Sequence, residues 1–400
     1  MTGFDCDIVV AGGGVAGLAA ACVFGQAGFR VVCVDPVPPV GERDAEGADL
    51  RTTALLQPAR DLLDEAGLWA RLAPEAAPLQ IMRIVDAGGA EPQPRIVKEF
   101  DASDISDRPF GWNLPNWLLR REMVARLTEI DSASFRPGVA VRGLVTRETG
   151  ARVALSDGTH LRCRLVIAAD GRNSRLRDGA GIPVKTIRYG QKALVFAVTH
   201  PVPHGNVSTE IHRSGGPFTL VPLPDHEGRP CSAVVWMEEG RKAVRLAALP
   251  GEEFEAEMNR RSCLLFGPLS LISRRMLWPI ISQVAGRMQA QRLALVAEAA
   301  HVVPPIGAQG LNMSLGDIRA LLDLAREAPA QLGGAQMLAR FERRRHREVR
   351  LRVAGIDMLN RASMWQARPL RDARAFGLDA ISSLGVVRKS LMRLGLGARG

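Results

Sequence analysis

Long hydrophobic runs are missing from this chain of 400 residues: nothing in it approaches the ~18 uninterrupted apolar residues of a membrane-spanning helix. The opening, MTGFDCDIVV, has neither the basic start nor the small-residue cleavage site of a secretory signal, so a cytosolic chain is expected. Cysteine is scarce too. The six present (Cys6, Cys22, Cys33, Cys163, Cys231, Cys263) form no CxxC pair and sit mostly in apolar runs such as VVCVD. That pattern reads as buried reduced thiols rather than a disulfide or zinc framework. The seven histidines show no HExxH and no paired spacing, so no metal site is expected. Tyrosine occurs once, at Tyr189. What is present is ordinary in bulk, 46% apolar and 24% charged, the balance of a globular protein with a sizeable core. The placing of charge is not ordinary. From Arg340 to Gly400 there are 15 Lys and Arg against 5 Asp and Glu, so the whole net charge of +10 sits in the tail.

The pattern along the chain alternates buried strands with helices. DIVVAGGGVAGLAAACVFGQAGFRVVCVD reads strand, glycine turn, helix, strand, with an acid at the end. RCRLVIAADG and LALVAEAAH read as further buried strands. TTALLQPARDLLDEAGLWARLA reads as helices interrupted at Pro58, Arg121 to Ile130 as an amphipathic helix, and Asn312 to Glu327 as another. Between 185 and 250 the segments KALVFAVTH, GPFTLVPL and SAVVWMEE alternate, which predicts an antiparallel sheet. The last part predicts helix, with Val349, Val353, Ile356 and Leu359 along one face. The expectation is a nucleotide-binding α/β domain split around an inserted sheet domain, followed by a basic helical tail.

Gly12, Gly14 and Gly17 fit GxGxxG between a predicted strand and helix, with Asp35 18 residues beyond the last glycine. The glycines permit a tight turn and close backbone approach. The helix N-terminus, with Val15 and Ala16, can then face a pyrophosphate while Asp35 accepts from ribose hydroxyls. GLGARG near the end (Gly395, Gly397, Gly400) repeats the spacing without a strand before it and is a decoy. One dinucleotide site argues against a reductase with separate flavin and nicotinamide domains.

Two later stretches specify which dinucleotide. RCRLVIAADGRNSRLR places Asp170-Gly171 at a strand end, with Ser174 and Arg177 following. AEAAHVVPPIGAQGLN, residues 297 to 312, reads as strand end, proline-glycine turn and helix start. With the glycine turn, these stretches in this order resemble the motifs of the class A flavoprotein monooxygenases, aromatic hydroxylases with a para-hydroxybenzoate hydroxylase-like fold. Closer likeness points to the hydroxylases of ubiquinone biosynthesis. ADLRTTALL resembles that branch's Asp-x-Arg-x-x-Ala-Leu stretch, whose arginine, here Arg51, lies near the flavin. Arg121 in LLRREMVARL falls where a flavin-contacting arginine is usual. Gly216-Pro217 and Trp236 are similar to the substrate-domain pattern, and DMLNRASMWQARPLRDARAFGLDAISSLG looks like the closing helices. The resemblance covers essentially the whole chain.

The resemblance implies an α/β protein: a Rossmann-like FAD-binding domain with an inserted antiparallel-sheet substrate domain and a C-terminal helical segment. The FAD-binding parts fall at 1–75, 111–183 and 288–339, the substrate-domain parts at 76–110 and 184–287, and the basic helices at 340–400. It implies FAD as cofactor, NAD(P)H as electron donor and O2 as co-substrate. A C4a-hydroperoxide of reduced FAD would hydroxylate a polyprenylated phenol or quinone precursor of ubiquinone. Asp170, Gly171, Glu298, Gly307, Gly310, Leu311 and Asn312 then join the cofactor set. Free N–H groups at the helix starting near Leu311 would favour the negative charge of reduced flavin. Pro304 and Pro305 would stiffen the loop facing the substrate ring. No general base stands out. His301 reads as a residue holding the loop by hydrogen bonds, and Tyr189 and Gln191 as candidates lining the pocket, with packing roles equally open.

Two residues depart from the family's pattern. Ala297 stands where it has glycine, and Glu298 where aspartate or asparagine bonds the ribityl chain. One methylene longer, Glu298 either still reaches, weakens or re-poses FAD, or turns away to pair with an arginine. The basic tail, with Trp365, Phe376, Leu378, Ile381, Val387 and Leu391 interspersed, reads as solvated helix faces or as a peripheral contact with an anionic membrane on its inner face. Nucleic acid is not expected, since no base-reading module is present. Three further readings stay open: a hydroxylase of a soluble aromatic, a non-oxygenating flavin oxidoreductase, and a non-catalytic FAD-fold subunit of a biosynthetic complex.

Overall fold

The short apolar runs pair with one another in parallel. In the computed structural model, which describes residues 3–364 apart from Ala90 and Ser214, together with Lys389 and Met392, Ile8–Ala11 lies between Val31–Asp35 and Leu165–Ala168. Ala133–Pro137 follows on one side and Leu293–Leu295 on the other, with Gln289–Ala290 closing that edge antiparallel. A parallel strand covered on both faces must be apolar throughout, and Ile8–Ala11 and Leu165–Ala168 are buried along their whole length. Val15–Gln26 packs on both Asn116–Leu127 and Gln309–Glu327 over this sheet.

A second sheet has nine strands among the described residues, antiparallel except where Val207–His212 runs beside Ile81–Asp86. Val184–Thr199 is its centre, flanked by Arg229–Glu239 and Met276–Ala285. Alternation gives the sheet two faces. Leu194, Phe196, Phe218, Val234 and Trp236 turn one way, against Leu246 and Phe254 of the helices Gly240–Ala248 and Gly251–Ser262, which sequence patterning did not reveal. Ala193, Val195, Val235, Met237, Trp278 and Ile280 turn the other way and pack with Ile306 of the 297–312 stretch.

Several local readings need correction. Thr52–Leu56 is a strand paired with Gly111–Pro115, as its β-branched threonines favour, and the helix Gln57–Glu65 starts afterwards. Pro58 therefore opens that helix, where its missing N–H costs nothing, rather than interrupting one. The helix read from Arg121 begins at Asn116 and ends at Leu127. The one read from Asn312 begins at Gln309. In the helix Ala335–Ser363, Val349, Val353 and Ile356 are buried but Leu359 is 54% exposed; the next inward position is Asn360. LALVAEAAH is not one buried strand. The strand stops at Leu295, a 3-10 turn covers Ala297–Ala299, and His301–Val302 pairs with Gln283 and Val284. This stretch therefore steps from the parallel sheet into the antiparallel one. Trp365, Phe376, Leu378, Ile381, Val387 and Leu391 lie outside the described residues.

Candidate cofactor and substrate site

The glycine turn uses its glycines for different reasons. Gly12 has φ +117°, and a Cβ there would stand 2.2 Å from the Ala169 carbonyl oxygen; one on Gly17 would stand 1.9 Å from the Gly12 carbonyl oxygen. These two are glycine because backbone passes against backbone. Gly14 is the N-cap of Val15–Gln26, and a Cβ there would meet nothing within 4 Å. No side chain caps this helix and its first turn carries no acid. Free N–H groups and the positive dipole end thus open onto vacant space, the arrangement that takes a phosphate. Asp35 accepts from the N–H of Gly13 at 2.5 Å and of Val37 at 2.8 Å, which fixes it at the rim.

Asp170-Gly171 stands beside this turn, because the Ala169 N–H donates to the Ala11 carbonyl at 2.8 Å. Ser174 caps Arg175–Gly179 by accepting from the Arg177 N–H at 3.0 Å. One oxygen of Asp170 accepts from the Leu176 N–H at 3.2 Å; the other is buried with no partner. Leaving such an atom unsatisfied costs about 1–3 kcal/mol, so the position asks for a donor from a ligand. Uncapped helix, open Gly14 and orphaned Asp170 oxygen together fit a dinucleotide.

The stretch from 297 to 312 completes the same end of the sheet. Glu298 turns to Arg172, accepting at 3.1 and 3.4 Å, so its carboxylate lies on the Asp-Gly motif's arginine. Ala297 has φ +56°, which explains in backbone terms why glycine suits that position. His301 is buried and lies 2.6 Å through Nε2 from Asp317, and Arg345 donates to the other Asp317 oxygen at 2.8 Å. Burial works to raise the Asp317 carboxyl, but the His301 and Arg345 charges outweigh it and hold it below the usual range. Gly307 has φ +62°, Ala308 is the left-handed N-cap at +56°, and no side chain caps Gln309–Glu327. Asn312 spends its side chain on neighbours, accepting from the Leu56 N–H at 2.8 Å and donating to the Ala54 and Ala308 carbonyls at 2.7 and 2.6 Å. The backbone N–H groups of Gln309, Gly310 and Leu311, ahead of the first intrahelical bond, remain for a ligand. Pro304 is buried and Pro305 exposed.

Arg51 donates to both Asp49 oxygens, at 2.8 and 2.7 Å, and stacks 4.2 Å from the Trp278 ring centre, on the apolar sheet face. Arg121 is not brought to the three motifs: its side chain is 49% exposed, bonds Glu122 at 2.9 Å and lies over Trp117. Its neighbour Arg120 has a buried Nε without a partner. Arg120, Met123 and Leu127 follow helical spacing, a signal hidden by starting the helix five residues late. Tyr189 donates to Asp357 at 2.6 Å; burial and then that carboxylate push its hydroxyl up to about 12. Gln191 is buried, donates to the Gly215 carbonyl at 2.6 Å and accepts from Asn360 at 3.0 Å. Both candidates are thus tied to the C-terminal helix. Arg172, Asp317 and Arg345 escaped sequence reasoning because their roles depend on partners distant in the chain.

A family model described as FAD binding domain matches residues 5–354. The chain is 33% identical over 394 residues to a ubiquinone hydroxylase, UbiL, of Rhodospirillum rubrum, covering 98% of this chain and 89% of that protein. It is 25% identical to the 3-demethoxyubiquinol 3-hydroxylase of Escherichia coli, covering 99% and 100%. Among solved structures, p-nitrophenol 4-monooxygenase PnpA from Pseudomonas putida DLL-E4 superposes with a TM-score of 0.78 at 17% identity, covering 98% of each chain.

Proposed function

The chain belongs to the FAD binding domain family of flavoprotein monooxygenases, and from that premise we propose that it hydroxylates the ring of a polyprenylated ubiquinone precursor, using NAD(P)H and O2. The observation that carries the substrate reading is the apolar sheet face of Val235, Met237, Trp278 and Ile280, which packs directly against Ile306 of the 297–312 loop. A wall of this chemistry suits a prenylated ring.

Bound FAD supplies the redox chemistry, accepting electrons from the nicotinamide and activating oxygen once reduced. The protein's own residues hold and shield it. The uncapped turn of Gly14, Val15 and Ala16 takes the pyrophosphate, with Gly12 and Gly17 allowing the turn and Asp35 receiving ribose hydroxyls. The partnerless Asp170 oxygen accepts a donor from the cofactor, with Gly171 beside it, and the buried Nε of Arg120 donates in the place first read for Arg121. Arg51, held by Asp49 against Trp278, would flank the flavin. The backbones of Gly307, Gly310 and Leu311 would present N–H groups to the reduced flavin's negative charge, with the Asn312 side chain bracing the turn. Glu298 contributes through Arg172 rather than through the ribityl chain. Pro304, Pro305 and Ile306 close the loop over the ring.

The purified protein is expected to be yellow or to take up FAD. With a short-chain prenylphenol it should consume NAD(P)H and O2 and yield a product heavier by one oxygen atom. Failure to bind FAD, or oxidation yielding only hydrogen peroxide with every phenol, would retire the reading; quinone profiles of a deletion strain would identify the ring position.

The tail supports a second part of this reading, a contact with an anionic membrane surface or a biosynthetic complex. Arg340, Arg345, Arg352 and Arg361 are already paired with Glu327, Asp317, Glu348 and Asp357. The charge for such a contact would come from the other basic residues of the tail, among them Arg343, Arg344, Arg347 and Arg350 of the same helix. Among the described residues no helix is long and apolar enough to cross a membrane. Sedimentation with anionic but not neutral liposomes is the expected result; equal sedimentation with both would remove the membrane contact.

A further inference from the structure

The helix Ala335–Ser363 grips the 297–312 stretch at both ends. Near the entry, Arg345 donates to Asp317 at 2.8 Å and to the Met313 carbonyl at 3.1 Å, while Asp317 also receives His301 at 2.6 Å and the Ala297 N–H at 3.3 Å. Two turns further along the same helix, Arg352 donates to the Gln309 side-chain oxygen at 2.9 Å, and Gln309 donates on to the Gly307 carbonyl at 2.9 Å. Glu348 joins the two arginines, accepting from Arg345 at 2.5 Å and Arg352 at 3.1 Å. Residues 345, 348 and 352 share one helix face by their spacing. The loop's exit has little local support: Gly307 and Ala308 both have positive φ, and the following helix has no side-chain cap.

We propose that Arg352 is a positioning residue for the flavin. Acting through Gln309 and Gly307, it fixes the turn that aims the first N–H groups of Gln309–Glu327 at the flavin ring. It thereby sets how much better the protein holds the reduced, anionic flavin than the oxidised one. This rests on the FAD reading above. The Arg352 side chain is 26% exposed, so its bond adds little to folding stability. Its effect lies in geometry, which a redox measurement reads and a melting curve does not.

The test compares Arg352→Met, Gln309→Met, the double variant and Arg352→Lys with the unaltered holoenzyme, measuring FAD affinity, flavin midpoint potential and Tm. Arg352→Met should lower the midpoint potential and weaken FAD binding about fivefold, near 1 kcal/mol, with Tm nearly unchanged. Gln309→Met should shift the potential the same way, and the double variant no further than the larger single effect, because both act in one chain. Arg352→Lys, which keeps a donor for Gln309, should recover much of the shift. An unchanged potential in Arg352→Met with FAD bound, or additive shifts in the double variant, overturns the proposal alone. An unaltered chain that cannot take up FAD overturns the cofactor reading and this inference with it.

Discussion

The glycine turn at the start of the chain and the 297–312 stretch stand at the same end of the parallel sheet, yet they are built differently. The first is made of backbone: Gly12 supplies the positive φ, Gly12 and Gly17 the close approach, with Asp35 bonding the Gly13 N–H and the Cys33 thiol the Gly12 carbonyl. The second places alanine at two of its three left-handed positions, 297 and 308, and depends on side chains behind it. Asp317 and Arg345 sit there fully or almost fully buried; Asp317 holds His301 and the Ala297 N–H from 16 and 20 residues away in sequence, and Arg345 backs Asp317 from 28. A turn made of glycine leaves its N–H groups uncommitted and ready for a ligand. A loop held by ion pairs puts its stability in a cluster that never touches one.

The largest test of this difference is Asp317→Asn. It leaves Arg345 buried and half-paired, and removing one partner of such a pair costs about 3–5 kcal/mol. Chemical denaturation should show that loss, and a change below about 1 kcal/mol would mean the cluster is not what holds the loop. The carboxyl is held below its ordinary value, so its contribution is present above the unfolded pKa of about 4 and is lost as pH falls through the folded value. The stability gap between the two proteins should therefore be constant from neutrality to about pH 4 and close below it.

Gly14→Ala is the opposite case. Its φ of −70° suits any residue, and the new methyl meets nothing, so folding stability should change by less than about 0.5 kcal/mol. The methyl would occupy the space over the helix N-terminus, and FAD affinity should fall about tenfold or more, equivalent to about 1.4 kcal/mol. Flavin fluorescence titration checks it. Unaltered affinity would show that the pyrophosphate does not lie there.

This division also explains what was legible in the sequence. Glycine spacing is a local signal, and so is the alternation that gave the antiparallel sheet; both can be read within a dozen residues. Pro58 misled because a proline that opens a helix and one that breaks it look alike until the preceding Thr52–Leu56 is recognised as a strand. Glu298 could be narrowed only to a set of outcomes, since the arginine that takes it, Arg172, lies 126 residues away. The network from Asp317 through Arg345 to Arg352 left no trace in periodicity, because charged residues on a helix normally read as a solvated face.

The adjacent arginines of Asn116–Leu127 bear on the same contrast at smaller scale. Arg121 is paired and half-exposed, whereas the Nε of Arg120 is buried without a partner, as a group awaiting a ligand would be. Arg120→Met should weaken FAD binding about fivefold and Arg121→Met by less than twofold, roughly 1 against less than 0.4 kcal/mol. The reverse order would return the role to Arg121.

The smallest effect expected concerns backbone alone. A non-glycine residue in the left-handed region carries about 1 kcal/mol of strain, partly offset because alanine loses less entropy on folding than glycine. Ala297→Gly should therefore stabilise the apoprotein by about 0.5 kcal/mol, raising Tm by roughly one or two degrees. The same change at Ala308, the N-cap of Gln309–Glu327, should stabilise by a similar amount while loosening the turn that Gln309 and Gly307 hold. If the 297–312 stretch is kept in place by its buried ion pairs, Ala297→Gly leaves the flavin potential untouched, because Asp317 still holds the N–H of residue 297. A potential that moves with this substitution would mean that the strained backbone, and not the charged cluster behind it, sets the position of the loop.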